Sequence, residues 1–234
     1  MDIRSYVEKT YQAQMEAFSN SPQFQALERG KIDKKEYFTF LANICITHMQ
    51  SPKILGFLFS ISPPDSTENV KHNFLEELGC EEAEESHPDL LKNTARGAGF
   101  DETTIERLEQ KAQEEIRRMC NSPMMYGTIK EFGLHILLEV SSFEWMLSRL
   151  ATRMGNFFAN HGGCKKDDLL WFYFHAEKDS QHAEEALDTI VDYANYYNIS
   201  DEVVSMITDV AFRENIFMKH YFSNHSGQND QTAS

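Results

Sequence analysis

The sequence predicts an all-α bundle of about seven to nine helices, and three observations carry that prediction. Only 11 glycines and 6 prolines occur in 234 residues, too little turn punctuation for a chain of many short strands. Long segments repeat their apolar residues at helical spacing. The segment Phe132–Leu150 (FGLHILLEVSSFEWMLSRL) is apolar around most of its circumference, which marks a helix buried on nearly all sides at the centre of a bundle.

In chain order, the pattern places helices over about 2–18, 34–48, 52–61, 66–78, 88–98, 102–120, 124–154, 167–197 and 200–222. Asp33, Ser66 and Asp101 suit N-cap positions, because a short side-chain oxygen accepts from an otherwise unpaired amide of the first turn. Gly155 and Gly162-Gly163 punctuate the gap between the two longest helices. The tail Ser226–Ser234 (SGQNDQTAS) is polar and glycine-containing and reads as disordered. The expected organisation is therefore one helical domain over 1–224, followed by a disordered tail over 225–234.

Composition removes several classes of function. With 37 acidic against 22 basic side chains and a net charge of −15, neither nucleic acid nor an anionic membrane is an expected partner. The start, Met1-Asp2-Ile3-Arg4-Ser5, lacks the apolar core of an export signal, and no apolar run reaches the roughly 20 residues of a membrane span. A cytoplasmic protein is expected. Cys45, Cys80, Cys120 and Cys164 are far apart, with no C-x-x-C pair, so neither a zinc knuckle nor a disulfide framework is expected.

The strongest chemical signal is HAEKDSQH, residues 175–182. At about 100° per residue, His175, Asp179 and His182 fall in one narrow stripe. That stripe continues as Trp171 and Phe172 before the trio and as Ala186, Ile190 and Tyr193 after it. A carboxylate buried unpaired between two imidazoles costs several kcal/mol, and a cation removes that cost. A hydrogen-bonded His-Asp-His network at a helix interface is the alternative. Glu139 is a second candidate, a carboxylate in the middle of the buried helix, for which a hydrogen bond from His135 one turn earlier is the alternative to metal ligation. Glu144 is rotated by about 140° and reads as a partner for a surface or interhelical cation. In Asn73–Leu91 (NFLEELGCEEAEESHPDLL), Glu77 shares a face with Val70, Asn73 and Phe74, and Glu76 is turned about 100° away, so Glu77 is the more inward. His87 precedes Pro88 at the expected start of the next helix, so Glu77 and His87 would meet across a helix break. Glu81-Glu82-Ala83-Glu84-Glu85 reads as a solvated acidic loop, one member of which is the alternative to Glu77. Oxygen and nitrogen donors without thiolate suit iron or manganese better than structural zinc.

These residues resemble the haem-oxygenase-like di-iron oxidase and oxygenase family, related in fold to the TenA and PqqC proteins and including the CADD proteins. The resemblance rests on NFLEELG with SHPDLL, on LLEVSSFEW and on HAEKDSQH. It implies a haem-oxygenase-like fold, a homodimer, two ferrous ions with dioxygen as co-substrate, no haem, and room for an external electron donor. Carried over residue by residue, the family's Glu and His pair falls on Glu77 and His87, its central Glu on Glu139, and its terminal motif on His175, Asp179 and His182. Several branches fit poorly: the earliest histidine is His48, too late for a haem-ligating residue in the first helices, and no cysteine lies between Cys120 and Cys164 to act as a thiaminase nucleophile. The activity implied is that of a non-haem di-iron oxygenase or oxidase. It would oxidise a small metabolite (a fatty acid, amino acid or amine) by C–H abstraction, C–C cleavage or N-oxygenation. The alternatives are a metal-free enzyme of the PqqC or TenA kind acting on a small heterocycle, and a CADD-like interaction protein whose polar trio fixes helix register.

Overall fold

A computed structural model of the chain describes residues 1–80, 85–121 and 126–223, with the backbone alone for 178–180. The segment 225–234, read from the sequence as a disordered tail, lies outside the described residues, as does most of the acidic loop at 81–84. Eleven α-helices occur among the described residues: α1 (Ile3–Ser19), α2 (Pro22–Glu28), α3 (Lys34–His48), α4 (Ser51–Ser60), α5 (Thr67–Glu77), α6 (His87–Ala98), α7 (Glu102–Asn121), α8 (Ile129–Phe157), α9 (Leu170–Tyr196), α10 (Asp201–Ala211) and α11 (Ile216–Tyr221). No strand is present among the described residues. None of the helices described is long and apolar enough to cross a membrane.

The count exceeds the expectation at two places, each with a local cause. Ser21 accepts from the amide of Phe24 at 3.2 Å and Pro22 fixes the first-turn backbone, so α2 forms as a short capped helix where the periodicity of seven residues is too brief to read. The expected helix over 200–222 is interrupted, because Asn215 caps a new helix by accepting from Met218 N at 2.9 Å. Gln14 of α1 clamps that break, donating to Phe212 O at 3.0 Å and accepting the amide of Ile216 at 3.1 Å. Of the expected caps, Asp33 forms a reciprocal capping box with Glu36, and Asp101 accepts from Thr104 N at 2.8 Å. Ser66 does not cap; its hydroxyl donates to Asp192 on α9 and pins the start of α5 to that helix.

The centre of the bundle is α8 packed antiparallel to α9. Leu134, Leu138, Met146, Ala151 and Met154 of α8 are fully enclosed, together with Phe172, Leu187 and Ile190 of α9. Truncating a side chain of this kind to alanine costs roughly 2–5 kcal/mol. Glycines let the two helices approach at both ends. A Cβ on Gly133 would collide with Tyr193 Oη and Ile61 Cδ1, and one on Gly155 would lie 3.1 Å from the Tyr173 ring. α1 docks onto the middle of α8, where the buried Tyr11 hydroxyl donates to Leu138 O at 2.8 Å and lies 2.7 Å from Ser141 Oγ. α5 and α6 pack against one face of α9, and the C-terminal end of α5 faces its middle. The polar residues singled out from the sequence converge there.

Candidate metal centre

Gly79 makes the first part of the site. It ends α5 with φ +70°, and a Cβ there would lie 2.6 Å from the Glu85 carbonyl carbon and 2.7 Å from Ser86 N. Only glycine allows the backbone to fold back this closely. Ser86 then caps α6, with Pro88 in its first turn, so His87 returns to the end of α5. His87 Nδ1 lies 2.8 Å from Glu77 Oε1, and both side chains are buried. Across from them on α9, His175 completes a cluster of two imidazoles and one carboxylate, with donor atoms within 4.8 Å of one another.

The protonation of this cluster follows from its hydrogen bonds. His175 Nδ1 lies 2.7 Å from the Trp171 carbonyl, which can only accept, so the ring proton sits on Nδ1. Burial, reinforced by the nearby His87, pushes the His175 imidazole down to about 4, so the ring is neutral near pH 7. Its Nε2 therefore turns a lone pair toward Glu77 Oε1 at 4.0 Å. Burial alone would raise the Glu77 carboxyl, but His87, His175 and the Ser51 hydroxyl outweigh burial and hold it at about 2. For His87 burial lowers the affinity for a proton, and Glu77 outweighs it and raises the imidazole above its ordinary value. A lone pair and a carboxylate face each other with no proton between them, and the buried His87 Nε2 makes no hydrogen bond. That arrangement is satisfied by a cation.

A second cluster of the same composition lies beside the first. His182 Nε2 is 2.8 Å from Glu76 Oε2, and His72 Nε2 is 3.8 Å from Glu76 Oε1. Donor atoms 2.1 Å from one ion stand about 3.0 Å apart at octahedral and about 3.4 Å apart at tetrahedral edges, so the 2.8 Å pair suits a shared metal and the 3.8 Å of His72 lies a few tenths of an ångström beyond such an edge. Glu76 and Glu77 are consecutive residues about 100° apart on α5, and so the end of that helix feeds one carboxylate into each cluster. Sets of two imidazoles and one carboxylate with open positions are the donor pattern of non-haem ferrous sites.

Glu144 of α8, read from the sequence as lying toward the surface or another helix, sits at the heart of this region with only 12% of its side chain exposed. Its Oε2 is 3.7 Å from His182 Nδ1 and its Oε1 accepts from Asn73 Nδ2 at 3.1 Å. Burial raises the Glu144 carboxyl, and His182, Asn73 and His175 outweigh it, leaving the group below the ordinary carboxylate range. Glu139 is in neither cluster; its Oε1 is 3.2 Å from His135 Nε2, and His135 Nδ1 is 2.7 Å from the Tyr126 hydroxyl. The structure thus brings together Glu77, His87 and His175, places His182 beside them with Glu76 and Glu144, and sets Glu139 apart on its own helical neighbour. The side chain of Asp179 lies outside the described residues. His72, Glu76 and Glu144 are additions to the sequence reading. The H-x-x-x-E spacing of His72 and Glu76, one helical turn, was the available signal for the first two.

A cavity of about 540 Å³ opens onto the inner cluster, exposing Glu77, Glu144 and His175 on one wall. Ile54, Ile136, Val140, Phe143 and Leu147 make its apolar sides, and Arg118 and Lys219 stand at its exposed rim between α7 and α11. Glu139 faces the same cavity from α8.

The family evidence agrees with this donor set. Residues 39–208, well over half of the chain, match the family model described as iron-containing redox enzyme. The chain belongs to this family. Its all-α bundle is the haem-oxygenase-like fold of the iron-containing redox enzymes, and the matched span includes every member of both clusters. No curated protein matches the chain.

His48, on the cavity wall next to Trp171 and 2.6 Å from the Tyr221 hydroxyl, is pushed down to about 3 by burial and then by His175. His48 and His175 share a consequence in the metal-free chain. Once unfolded they take up protons near pH 6.5, whereas folded they do so only near 3 and 4, so below pH 6.5 the unfolded state binds more protons. Acidification therefore destabilises the fold by as much as ~2.7 kcal/mol per pH unit from these two groups. His87, raised, acts in the opposite sense: its stabilisation is complete below pH 6.5 and is lost as pH rises through its folded value. The apo protein is expected to be most heat-stable near pH 6.5, with Tm falling more steeply on the acid side. Calorimetry from pH 5 to 8 checks this, and a Tm that rises from pH 6.5 to 5 contradicts it.

Proposed function

We propose that the chain is a non-haem di-iron oxygenase or oxidase that uses dioxygen to oxidise a small molecule held in the cavity beside the inner cluster. The observation that carries this reading is the unprotonated His175 Nε2 set against ionised Glu77 in a buried group of two imidazoles and one carboxylate. Glu77, His87 and His175 would hold one ion, and His182 the other, with Asp179 as the resemblance implies. Ferrous iron bound there would supply the electrons and the open positions that dioxygen chemistry needs.

The chain's own residues orient and shield. Trp171 O fixes the His175 tautomer, Ser51 donates to Glu77 at 2.6 Å, and Asn73 holds Glu144. Ile54, Ile136, Val140, Phe143 and Leu147 give the cavity apolar sides, while Arg118 and Lys219 keep the rim polar. Glu139, backed by His135 and Tyr126, supplies a carboxylate able to hold or give up a proton on the substrate side of the cavity. The substrate is a small metabolite of the size the cavity admits, and an external donor would return electrons between turnovers.

Anaerobic titration with ferrous ion is expected to reach about two ions per chain, and admission of dioxygen is then expected to give a transient absorbance. Failure of the wild-type chain to take up iron would falsify the reading and favour the metal-free alternative.

A further inference from the structure

The two clusters face different compartments. Glu77, His87 and His175 are buried among the described residues, and Glu77 and His175 line the cavity. In the other cluster Glu76 and His182 are equally buried, but His72 is 40% exposed. Its ring stands edge-on to that of His182, with centroids 5.9 Å apart, and forms the inner wall of a surface depression of about 310 Å³ lined also by Glu68, Asn69, Lys71 and Glu185. On the far side of His182, Glu144 faces Nδ1, which turns Nε2 toward Glu76 and His72.

We propose that His72, Glu76 and His182 form an outward-opening site for a divalent first-row metal ion, loaded from solvent through the depression beside His72. The inference rests on the iron-enzyme reading for the identity of the ion and extends it by adding His72 and Glu76 as ligands and a route of entry. Two independent observations support it. Glu76 Oε2 is wholly buried and accepts no hydrogen bond, although His182 Nε2 is only 2.8 Å away. The two atoms approach each other without the alignment of a donor and an acceptor, as ligands of a common ion do. The second observation is the depression itself: Lys71 pairs with Glu68 at 3.0 Å, and Glu185 leaves one net negative charge beside the only exposed ligand of the cluster, favouring approach of a hydrated cation. An ion at this position exchanges with solution directly, whereas one at the inner cluster must pass through the cavity.

The test is anaerobic titration of the full metal-free chain with Co(II), followed by visible spectroscopy and equilibrium dialysis, then by stopped-flow removal with EDTA. Wild type is expected to bind two ions, one removed quickly and one slowly. His72→Ala, at a position exposed enough to tolerate the change, is expected to weaken the rapidly exchanging ion by at least about tenfold, since loss even of an outer partner of a ligand has that effect. His72→Gln is expected to do the same. His87→Ala, checked for folding by circular dichroism, is expected to lose the slow ion and keep the fast one. If His72→Ala binds two ions with wild-type affinity, or loses the slow ion instead, the proposal is overturned. A single ion in wild type that disappears in His87→Ala but not in His72→Ala overturns it too, while leaving the iron reading standing. A single ion that needs His72 alone upholds the proposal and removes the inner site from the reading. No Co(II) bound by wild type ends both.

Discussion

Glu77→Gln is expected to abolish metal binding at the inner cluster, weakening ferrous ion there by about a hundredfold or more, beyond what loss of an outer-sphere partner costs. The amide keeps the shape of the carboxylate and still accepts from Ser51, which donates to Glu77 Oε2 at 2.6 Å. Its NH2 group, at the Oε1 position, provides a donor to His87 Nδ1 at 2.8 Å, once that imidazole is neutral, and lies 4.0 Å from the His175 lone pair. The cost of losing the charge is therefore partly offset in the apo protein, and its Tm is expected to change by only a few degrees. With the anion gone, His87 loses the partner that raises its proton affinity, and burial pulls the imidazole below its ordinary value. The variant should thus separate two properties: a near-normal apo melting curve, and loss of the share of metal stabilisation that the inner ion gives wild type. That stabilisation amounts to ~2.7 kcal/mol at a free metal concentration a hundred times Kd, which at this chain length is worth several degrees. Calorimetry with and without metal reads both. A variant that takes up as much metal as wild type, or gains as much in Tm, would show that Glu77 holds no ion.

The parts of the fold legible in the sequence are those where burial has a single period. The central helix announces itself because apolar residues surround it, and it lies at the centre of the packing between Gly133 and Gly155. His175 and His182 share a stripe of α9 because that helix buries one continuous face along its length. Glu77 and His87 were legible as a pair because Gly79 and Pro88 mark a turn and a helix start, and the positive φ of Gly79 makes the return. What escaped has the opposite cause. A periodicity argument assigns one inward face to a helix, yet the end of α5 is enclosed by α4, α6 and α9 together, and so Glu76 and Glu77 are both buried although they are about 100° apart. The same holds in the middle of α8, where a rotation of about 140° from Glu139 leads to another helix rather than to water, although Arg149, Thr152 and Asn156 are exposed further along. Only the placement of α5 and α9 decides which carboxylate of α8 meets a histidine.

That choice has a direct experimental consequence, and it separates Glu144 from Glu139. Glu144→Gln is expected to lower metal affinity at the His182 side by about ten- to a hundredfold, the effect of removing a carboxylate that orients a ligating imidazole. The carboxylate stands 3.7 Å from His182 Nδ1 and its charge also reaches His87 and His175, so it is the one anion of α8 placed between both clusters. Glu139→Gln is expected to leave the number of ions and their affinities unchanged. Burial would raise its carboxyl, but His135 at 3.2 Å, with His220 and Lys219 nearby, outweighs burial and holds it below the ordinary carboxylate value. An amide at 139 can still accept from His135 Nε2, so the Tyr126–His135 hydrogen bond survives and the fold is not disturbed. Parallel Co(II) titrations of the two variants decide the matter. Loss of an ion from Glu139→Gln with full binding by Glu144→Gln would return the central ligand to the position the resemblance implies. Placing Glu139 where Glu144 stands against His182 would require α8 to turn by more than a third of a revolution about its axis. Because Gly133 and Gly155 pack α8 closely against Tyr193, Phe172 and Tyr173 at both ends, such a rotation would break that packing. The expected outcome is that Glu144 carries the metal dependence and Glu139 faces the substrate.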